Sequence, residues 1–295
     1  MQQPVTVEAT TAESAAGVAA GSATGSAWAA ELSFATQIAR AAGRVLMDRY
    51  ERLERIDHKS ARDVVTEADH ESEELIIAAI RDRFPGDAIL AEESGAHAAG
   101  APPADMAASL AAHRVWVIDP LDGTVNYANG LPVFCVSIGL VADGRPVVGV
   151  VLDPTRSELF AASADGPATL NDRSIRASTK DKLSDGVISL SLSGRSVQNR
   201  ARAIRREIRI SRSMGSAALA LAYVGNGRFD AFLQESSLSL WDVAAAGLIA
   251  EQGGATVTAF DGGPWYDATK ASRSIGAIAA PPAHHPRILR LANDR

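Results

Sequence analysis

Cysteine occurs once in this sequence, at position 135, so no internal disulfide can form and the fold needs no oxidising compartment. Aromatic residues are few, at 5%. No apolar run approaches the roughly 18 residues of a membrane span, so no membrane partner is expected. A basic surplus is lacking as well: the formal net charge is -6. Duplex binders neutralise phosphates with clustered Lys and Arg, so nucleic acid is not an expected partner. The first residues lack both a basic start and a solid apolar stretch, and do not read as a secretory signal. The expected location is therefore cytoplasmic. Those residues are rich in Ala, Gly, Ser and Thr, a composition that cannot bury enough surface to fold. The expectation is a flexible tail over residues 1–29 and one domain over 30–295, with sub-halves at about 30–155 and 156–295. There is no internal repeat.

What is present is the balance of a globular protein, 46% hydrophobic and 22% charged over 295 residues. Phe34, Ile38, Ala42, Val45, Leu46 and Tyr50 recur at three- and four-residue steps and predict a helix. A second helix is predicted from Asp69 to Phe84, ended by Pro85-Gly86. Residues 96–113, rich in Ala, Pro and His, read as an exposed loop. The period then changes. Arg114 to Ile118, Phe134 to Val141 and Pro146 to Leu152 read as strands, the last two joined by an Asp143-Gly144 hairpin turn. Phe160 to Ala162 is a further short strand. Helical patterning returns over Ser213–Tyr223 and Val243–Gln252, and strands are predicted at Val257–Phe260 and Ile275–Ala279. Without a steady βαβ rhythm, the pattern predicts an α+β fold, with helices layered on largely antiparallel sheets. Cys135, within Val133-Phe134-Cys135-Val136, reads as a small core residue.

Acidic residues gather in four places. In Trp116-Val117-Ile118-Asp119-Pro120-Leu121-Asp122-Gly123-Thr124 an apolar strand delivers Asp119 to a sheet edge. Pro120 cannot continue a hydrogen-bonded ladder, and Gly123 permits a tight turn, so Asp119 and Asp122 can face one spot. Two carboxylates and a turn carbonyl suit a hard cation such as Mg²⁺. The others are Asp63 to Asp69, Glu92-Glu93-Ser94-Gly95 after the apolar Ala88-Ile89-Leu90, and Trp241-Asp242-Val243-Ala244. Taken singly, each reads equally as a solvated turn or a helix N-cap. Together they place carboxylates at strand ends and helix starts, the positions that converge on a cleft. Unpaired carboxylates in one cleft are costly, and bound cations remove the conflict.

These four segments, in this order, resemble the inositol monophosphatase family, and Met214-Gly215-Ser216-Ala217-Ala218 resembles that family's loop beside the substrate ring. The resemblance runs from about residue 32 to the C-terminus. It implies a layered α-β-α-β-α sandwich, two or three Mg²⁺ ions, and a homodimer. By position it makes Glu92, Asp119, Leu121 (through its carbonyl), Asp122 and Asp242 metal ligands, with Asp119 bridging two ions. Glu92 and Thr124 would orient the attacking water, with Asp69 ordering that network. Gly123, Thr124, Gly215, Ser216, Ala217, Glu235 and Asp242 would contact substrate, and Lys59 matches the family's loop lysine. The implied chemistry is hydrolysis of a small phosphate monoester by a metal-activated water.

Leu121-Asp122-Gly123-Thr124 also resembles the haloacid-dehalogenase phosphatases, whose nucleophilic Asp lies two residues before the second Asp. That position is Pro120, which has no nucleophile. A non-catalytic binding role on the same fold would be signalled by a missing ligand, and all the expected acids are present. Glu235 lies seven residues before Asp242, where the inositol-type members of the resembled family place an acid that binds ring hydroxyls, and the resemblance therefore implies a phosphorylated polyol such as inositol 1-phosphate. The composition of Ser236-Ser237-Leu238-Ser239-Leu240 departs from the family's commoner pattern and keeps histidinol phosphate and aminocyclitol phosphates open as substrates.

Overall fold

The computed structural model describes residues 26–52, 56–60, 63–97, 113–192, 197–270 and 272–294. Most of the expected tail, most of the expected 96–113 loop and the side chain of Lys59 lie outside the described residues.

Helix α1 (Ala29–Arg49) buries Ala35, Ala39, Ala42, Gly43 and Leu46; of the predicted stripe Ala42 and Leu46 lie at its centre, while Phe34, Ile38, Val45 and Tyr50 are half-buried on its flank. Just upstream, the Ser26 hydroxyl and the Ala27 N–H both donate to Asp165. Strands β1 (Ile56–Ser60) and β2 (Asp63–Thr66) form an antiparallel pair that leads into α2 (Glu67–Arg83). A capping box starts α2: the Thr66 hydroxyl accepts from the Ala68 N–H, and Asp69 accepts from the Thr66 N–H at 2.8 Å.

Helices α1 and α2 cover one face of an eight-stranded sheet through Ile76, Ile80, Trp116, Ile118 and Leu152. Its strands are β3 (Ala88–Ala91), β4 (Gly95–His97), β5 (Arg114–Asp122), β6 (Cys135–Ala142), β7 (Arg145–Asp153), β8 (Glu158–Ser163), β9 (Thr169–Leu170) and β10 (Arg173–Ser174). The order is β10-β9-β8-β7-β6-β5-β3-β4. Every pair is antiparallel except β3 with β5. That parallel pair brings two strand C-termini side by side. The predicted hairpin joins β6 to β7, with positive φ at both Asp143 (47°) and Gly144 (76°). Strand β5 continues four residues past its predicted end at Ile118. Its pairing with β6 breaks register between Asp119 and Asp122, so Pro120 sits in an irregularity where its missing N–H costs no ladder bond.

A short helix α3 (Thr124–Ala128) follows β5 directly. Strand β11 (Val187–Ser191), helix α4 (Val197–Glu207), strand β12 (Ile210–Arg212), helix α5 (Ala217–Gly225), strand β13 (Ala231–Leu238), helix α6 (Leu240–Gln252), strands β14 (Thr256–Ala259) and β15 (Ile275–Ala280) and helix α7 (His285–Asn293) complete the chain. Helix α5 begins four residues after its predicted start, because Ser216 takes the N-cap and 213–216 become a loop. The five-stranded sheet β12-β11-β13-β15-β14 is mixed, with β11 parallel to both its neighbours.

Helices α5 and α6 lie between the two sheets, joining Val117, Val151 and Phe160 of the first to Phe232, Ala277 and Ala279 of the second. Helix α6 seats against glycines. A Cβ on Gly149 would lie 2.5 Å from the Ala245 carbonyl, and one on Gly139 would lie 3.1 Å from Ala244. Helices α4 and α7 close the outer face around Ile188, Leu233, Ile278 and Ile288. The layers run α-β-α-β-α.

Candidate active site

The register break in β5 turns two acids toward one another. Asp119 is 1% exposed and Asp122 8%. Asp242 enters from the first turn of α6, and oxygens of all three carboxylates lie within 4.8 Å of one another. Glu92 follows β3, and its N–H donates to the Ile118 carbonyl at 3.2 Å, which sets it beside Asp119. These four acids, with Leu121, Gly123, Thr124 and Trp241, line a cavity of about 180 Å³.

The three aspartates are held from behind. Asp119 Oδ1 accepts the Leu121 N–H at 3.0 Å. Asp122 Oδ2 accepts the Ser216 hydroxyl at 2.6 Å and the Ala218 N–H at 2.7 Å, so it ties β5 to the start of α5. Asp242 Oδ2 accepts the Ser239 N–H at 2.6 Å as the far half of a capping box. The Thr124 hydroxyl lies 3.2 Å from Asp69 Oδ1 and 3.0 Å from the Leu121 carbonyl. Asp69 itself is fully buried, and its other oxygen accepts from the Thr66 N–H and hydroxyl.

The electrostatics are unfavourable without a cation. Burial pushes Asp119 well above the ordinary carboxylate range, and the neighbouring charges of Glu92, Asp122 and Asp242 push it further. Asp242 is raised by burial and then by Asp122, against the Ser239 N–H and Arg273. Asp122 is also raised by burial, opposed by the donors from Ser216 and Ala218. Oxygen-only donors that repel one another and face a small polar cavity fit a hard divalent cation.

The model of the Inositol monophosphatase family matches residues 28–295. The chain belongs to this family. The chain is 39% identical over 241 residues to the Nus factor SuhB of Pseudomonas aeruginosa, covering 78% of this chain and 86% of that protein. It is 37% identical over 240 residues to the inositol-1-monophosphatase of Mesorhizobium japonicum, covering 79% and 86%. Among solved structures, the Thermotoga maritima IMPase superposes with a TM-score of 0.77 at 31% identity, covering 90% of this chain and 97% of that one. The extragenic suppressor protein suhB of Bartonella henselae gives 0.80 at 31% identity, covering 90% and 99%.

Within this family fold, most of the residues singled out in the sequence gather at one place. Glu92, Asp119, Leu121, Asp122, Gly123, Thr124, Gly215 and Asp242 line the same cavity. Asp69 lies behind Thr124, and Ser216 behind Asp122. A second cavity of about 280 Å³ opens beside the first, shares Asp122, Gly215 and Asp242 with it, and includes Ser216 and Ala217. Glu235 lines neither cavity. Its carboxylate holds Arg200 of α4 with both oxygens, at 2.7 and 2.8 Å.

Three contributors escaped the sequence reading. Glu73, 3% exposed, accepts the Glu93 and Ser94 N–H groups at 2.9 and 2.8 Å, fixing the turn that carries Glu92. Its signal was an acid on the buried stripe of α2, three residues before Ile76. Asn126 donates to the carbonyls of Val133 and Met214, pinning the 213–216 loop to α3. Arg273 lines the acidic cavity from the segment before β15, and nothing in its local sequence marks it. Cys135 is fully buried as expected and adds a contact that was not foreseen: its thiol, held protonated chiefly by burial, donates to Asp122 at 3.8 Å.

Proposed function

We propose that this protein is a Mg²⁺-dependent phosphomonoesterase of a small phosphorylated polyol, with inositol 1-phosphate as the first substrate to test. The observation that carries this reading is the convergence of Asp119, Asp122 and Asp242 within 4.8 Å, with Glu92 in the same cavity. Glu92, Asp119, the Leu121 carbonyl, Asp122 and Asp242 would hold two or three ions. Bound Mg²⁺ would lower the pKa of a water and neutralise charge on the phosphoryl oxygens.

The protein's own part is to aim the water and the ester. The Thr124 hydroxyl hydrogen is directed at Asp69 or the Leu121 carbonyl, which leaves its oxygen lone pairs to accept a hydrogen from the attacking water. Glu92, which lines the same cavity, would accept the water's other hydrogen. Asp69 fixes the direction of the Thr124 hydroxyl and needs no contact with substrate. The N–H groups of Gly123 and Thr124 would hold phosphate oxygens, a placement that Gly123 permits by its φ of 100°. The 215–217 segment would border the alcohol. Histidinol phosphate and aminocyclitol phosphates are the competing substrates, and a homodimer is the proposed assembly.

A phosphate-release screen over these esters, with Mg²⁺ and with EDTA, tests the proposal. Mg²⁺-dependent turnover is expected, fastest on inositol 1-phosphate. Turnover that persists in chelator would refute it. The relatives named Nus factor SuhB favour a second, compatible reading in which the same fold also serves a regulatory partner. Rescue of a deletion strain by a catalytically dead Asp119→Asn variant would support that reading.

A further inference from the structure

Helix α2 holds several parts of the acidic site at once. Its Asp69 takes the Thr124 hydroxyl at 3.2 Å, and its Ser72 donates to the Pro120 carbonyl at 3.1 Å, between Asp119 and Leu121. Its Glu73 accepts the Glu93 and Ser94 N–H groups. About two turns further along, Arg81 reaches the same turn by a second route. Its guanidinium lies 3.1 Å from His97 Nδ1, and His97 Nε2 lies 2.7 Å from the Ser94 hydroxyl. His97 is the last residue of β4 and is 7% exposed. The turn that carries Glu92 is thus tied to α2 twice, through its backbone by Glu73 and through a side chain by Arg81 and His97.

The chemistry of this chain places the proton. A guanidinium has only donors and keeps its charge. His97 Nδ1 must therefore accept, and an imidazole with an accepting nitrogen is neutral. Its one proton sits on Nε2 and is donated to Ser94 Oγ. Burial and Arg81 lower the imidazole's pKa, against the pull of Glu73, which keeps it neutral near pH 7. Those two groups, both on α2, are the charges that bear on it among the described residues. The same tautomer excludes a nucleophilic Ser94, because a nitrogen that already carries a proton cannot take one from the hydroxyl.

We propose that His97 is a positioning residue for Glu92: a neutral imidazole, protonated on Nε2, that passes the grip of Arg81 to Ser94 and so fixes the carboxylate two residues away. This role rests on the phosphatase reading above, and it needs no contact with metal or substrate. Loss of His97 frees the side-chain tie of the turn and weakens cation binding, while the reacting groups themselves stay unchanged.

The test titrates Mg²⁺ by calorimetry into the parent, His97→Ala, His97→Gln, Ser94→Ala and the double alanine variant, and follows Mg²⁺ activation with p-nitrophenyl phosphate. His97→Ala and Ser94→Ala should each weaken Mg²⁺ binding about fivefold, less than the roughly 10–100-fold cost of losing a group bonded directly to a metal ligand. The double variant should be no worse than either, since both changes remove one bond. Glutamine carries an accepting oxygen and a donating nitrogen on one group, so His97→Gln should stay within about twofold of the parent. Below about pH 6 the imidazole gains a proton and can no longer accept from Arg81, so the parent should lose Mg²⁺ affinity faster than His97→Gln. A lowered Tm with unchanged Mg²⁺ affinity in His97→Ala would make the residue purely structural and overturn the proposal, as would a His97→Gln variant as weak as His97→Ala. Should His97→Ala fail to fold, Ser94→Ala removes the same bond from an exposed position and decides alone. A parent that binds Mg²⁺ but hydrolyses no ester fails the phosphatase reading alone, because the metal titration still decides the role of His97. A parent that binds no Mg²⁺ overturns both.

Discussion

Glu73 accepts the backbone N–H of Ser94 at 2.8 Å, and through that bond a buried acid on α2 sets the turn that carries Glu92. The same carboxylate takes the Glu93 N–H with its other oxygen. Two donors one residue apart therefore converge on one side chain.

Glu73→Gln should expose the cost of losing that arrangement. Glutamine offers one acceptor oxygen where two are needed and turns an NH₂ toward a backbone donor. The loss should be about 2 kcal/mol, the size of a charged hydrogen bond, or several degrees in Tm for a chain of this size. Because Glu92 rides on the turn, half-maximal activity should also need more Mg²⁺. A variant with a lowered Tm but an unchanged Mg²⁺ requirement would confine Glu73 to stability.

Asp119→Asn should act in opposite directions on stability and turnover. Hydrolysis of every substrate should fall at least about a hundredfold, since a cation-activated water supplies several kcal/mol of barrier reduction. In EDTA, however, the variant should melt above the parent, because it removes a buried charge that Glu92, Asp122 and Asp242 oppose. Added Mg²⁺ should then stabilise the parent and scarcely affect the variant. Melting curves of both proteins with and without Mg²⁺ decide the matter, and a variant that melts below the parent in EDTA would show that the repulsion is not felt.

The pH dependence follows from the same cluster. Unfolded carboxylates titrate near about 3.9, whereas Asp119, Asp122 and Asp242 titrate higher in the fold. The folded state holds more protons across that window, so the metal-free protein loses stability as pH rises from about 4. Mg²⁺ competes with those protons, and its stabilising effect should grow over the same range. The Tm difference between Mg²⁺ and EDTA, followed from about pH 5 to pH 8, should widen. A constant difference would place the cation elsewhere.

Glu235→Gln tests a role the sequence suggested and the structure qualifies. Its partner Arg200 has a side chain only 10% exposed, and loss of the carboxylate removes this ion pair from a largely buried guanidinium that still donates to the Ala292 carbonyl. A stability loss of about 2–4 kcal/mol is expected, with kcat on p-nitrophenyl phosphate retained below the melting transition. Pairing Glu235→Leu with Arg200→Met should recover much of the stability. A selective loss on inositol 1-phosphate in this double variant would return Glu235 to the substrate contacts.

The site was legible in the sequence to an unequal degree. Asp119 and Asp122 were readable because an apolar strand, a proline and a glycine follow one another within a few residues. Asp242 was equally a helix cap, and the structure makes it both, since its Oδ2 closes the box with Ser239 while the carboxylate joins the cluster. Helices α1 and α2 carry long apolar stripes and were found. Helix α4 buries only Ala201 and Ile204 among its arginines and gave no periodic signal. Strand β11 hid for the opposite reason. Its serines alternate with aliphatic residues, and a run of Ser, Leu and Ile reads as readily as loop. The orientation of Glu235 depends on which face of β13 meets which layer, a tertiary fact that spacing to Asp242 does not contain.

The two sheets border different parts of the site. Glu92, Asp119 and Asp122 stand at the end of the eight-stranded sheet, while Ser189, Ser191 and Gln234 line the second cavity from the five-stranded one. Among the described residues the two sheets pack on either side of the layer of α5 and α6. An evolving lineage can therefore repaint one sheet, residue by residue, without disturbing the reactive apparatus on the other. A library confined to β11 and β13 would therefore vary the second sheet while Glu92, Asp119 and Asp122 stay fixed on the first.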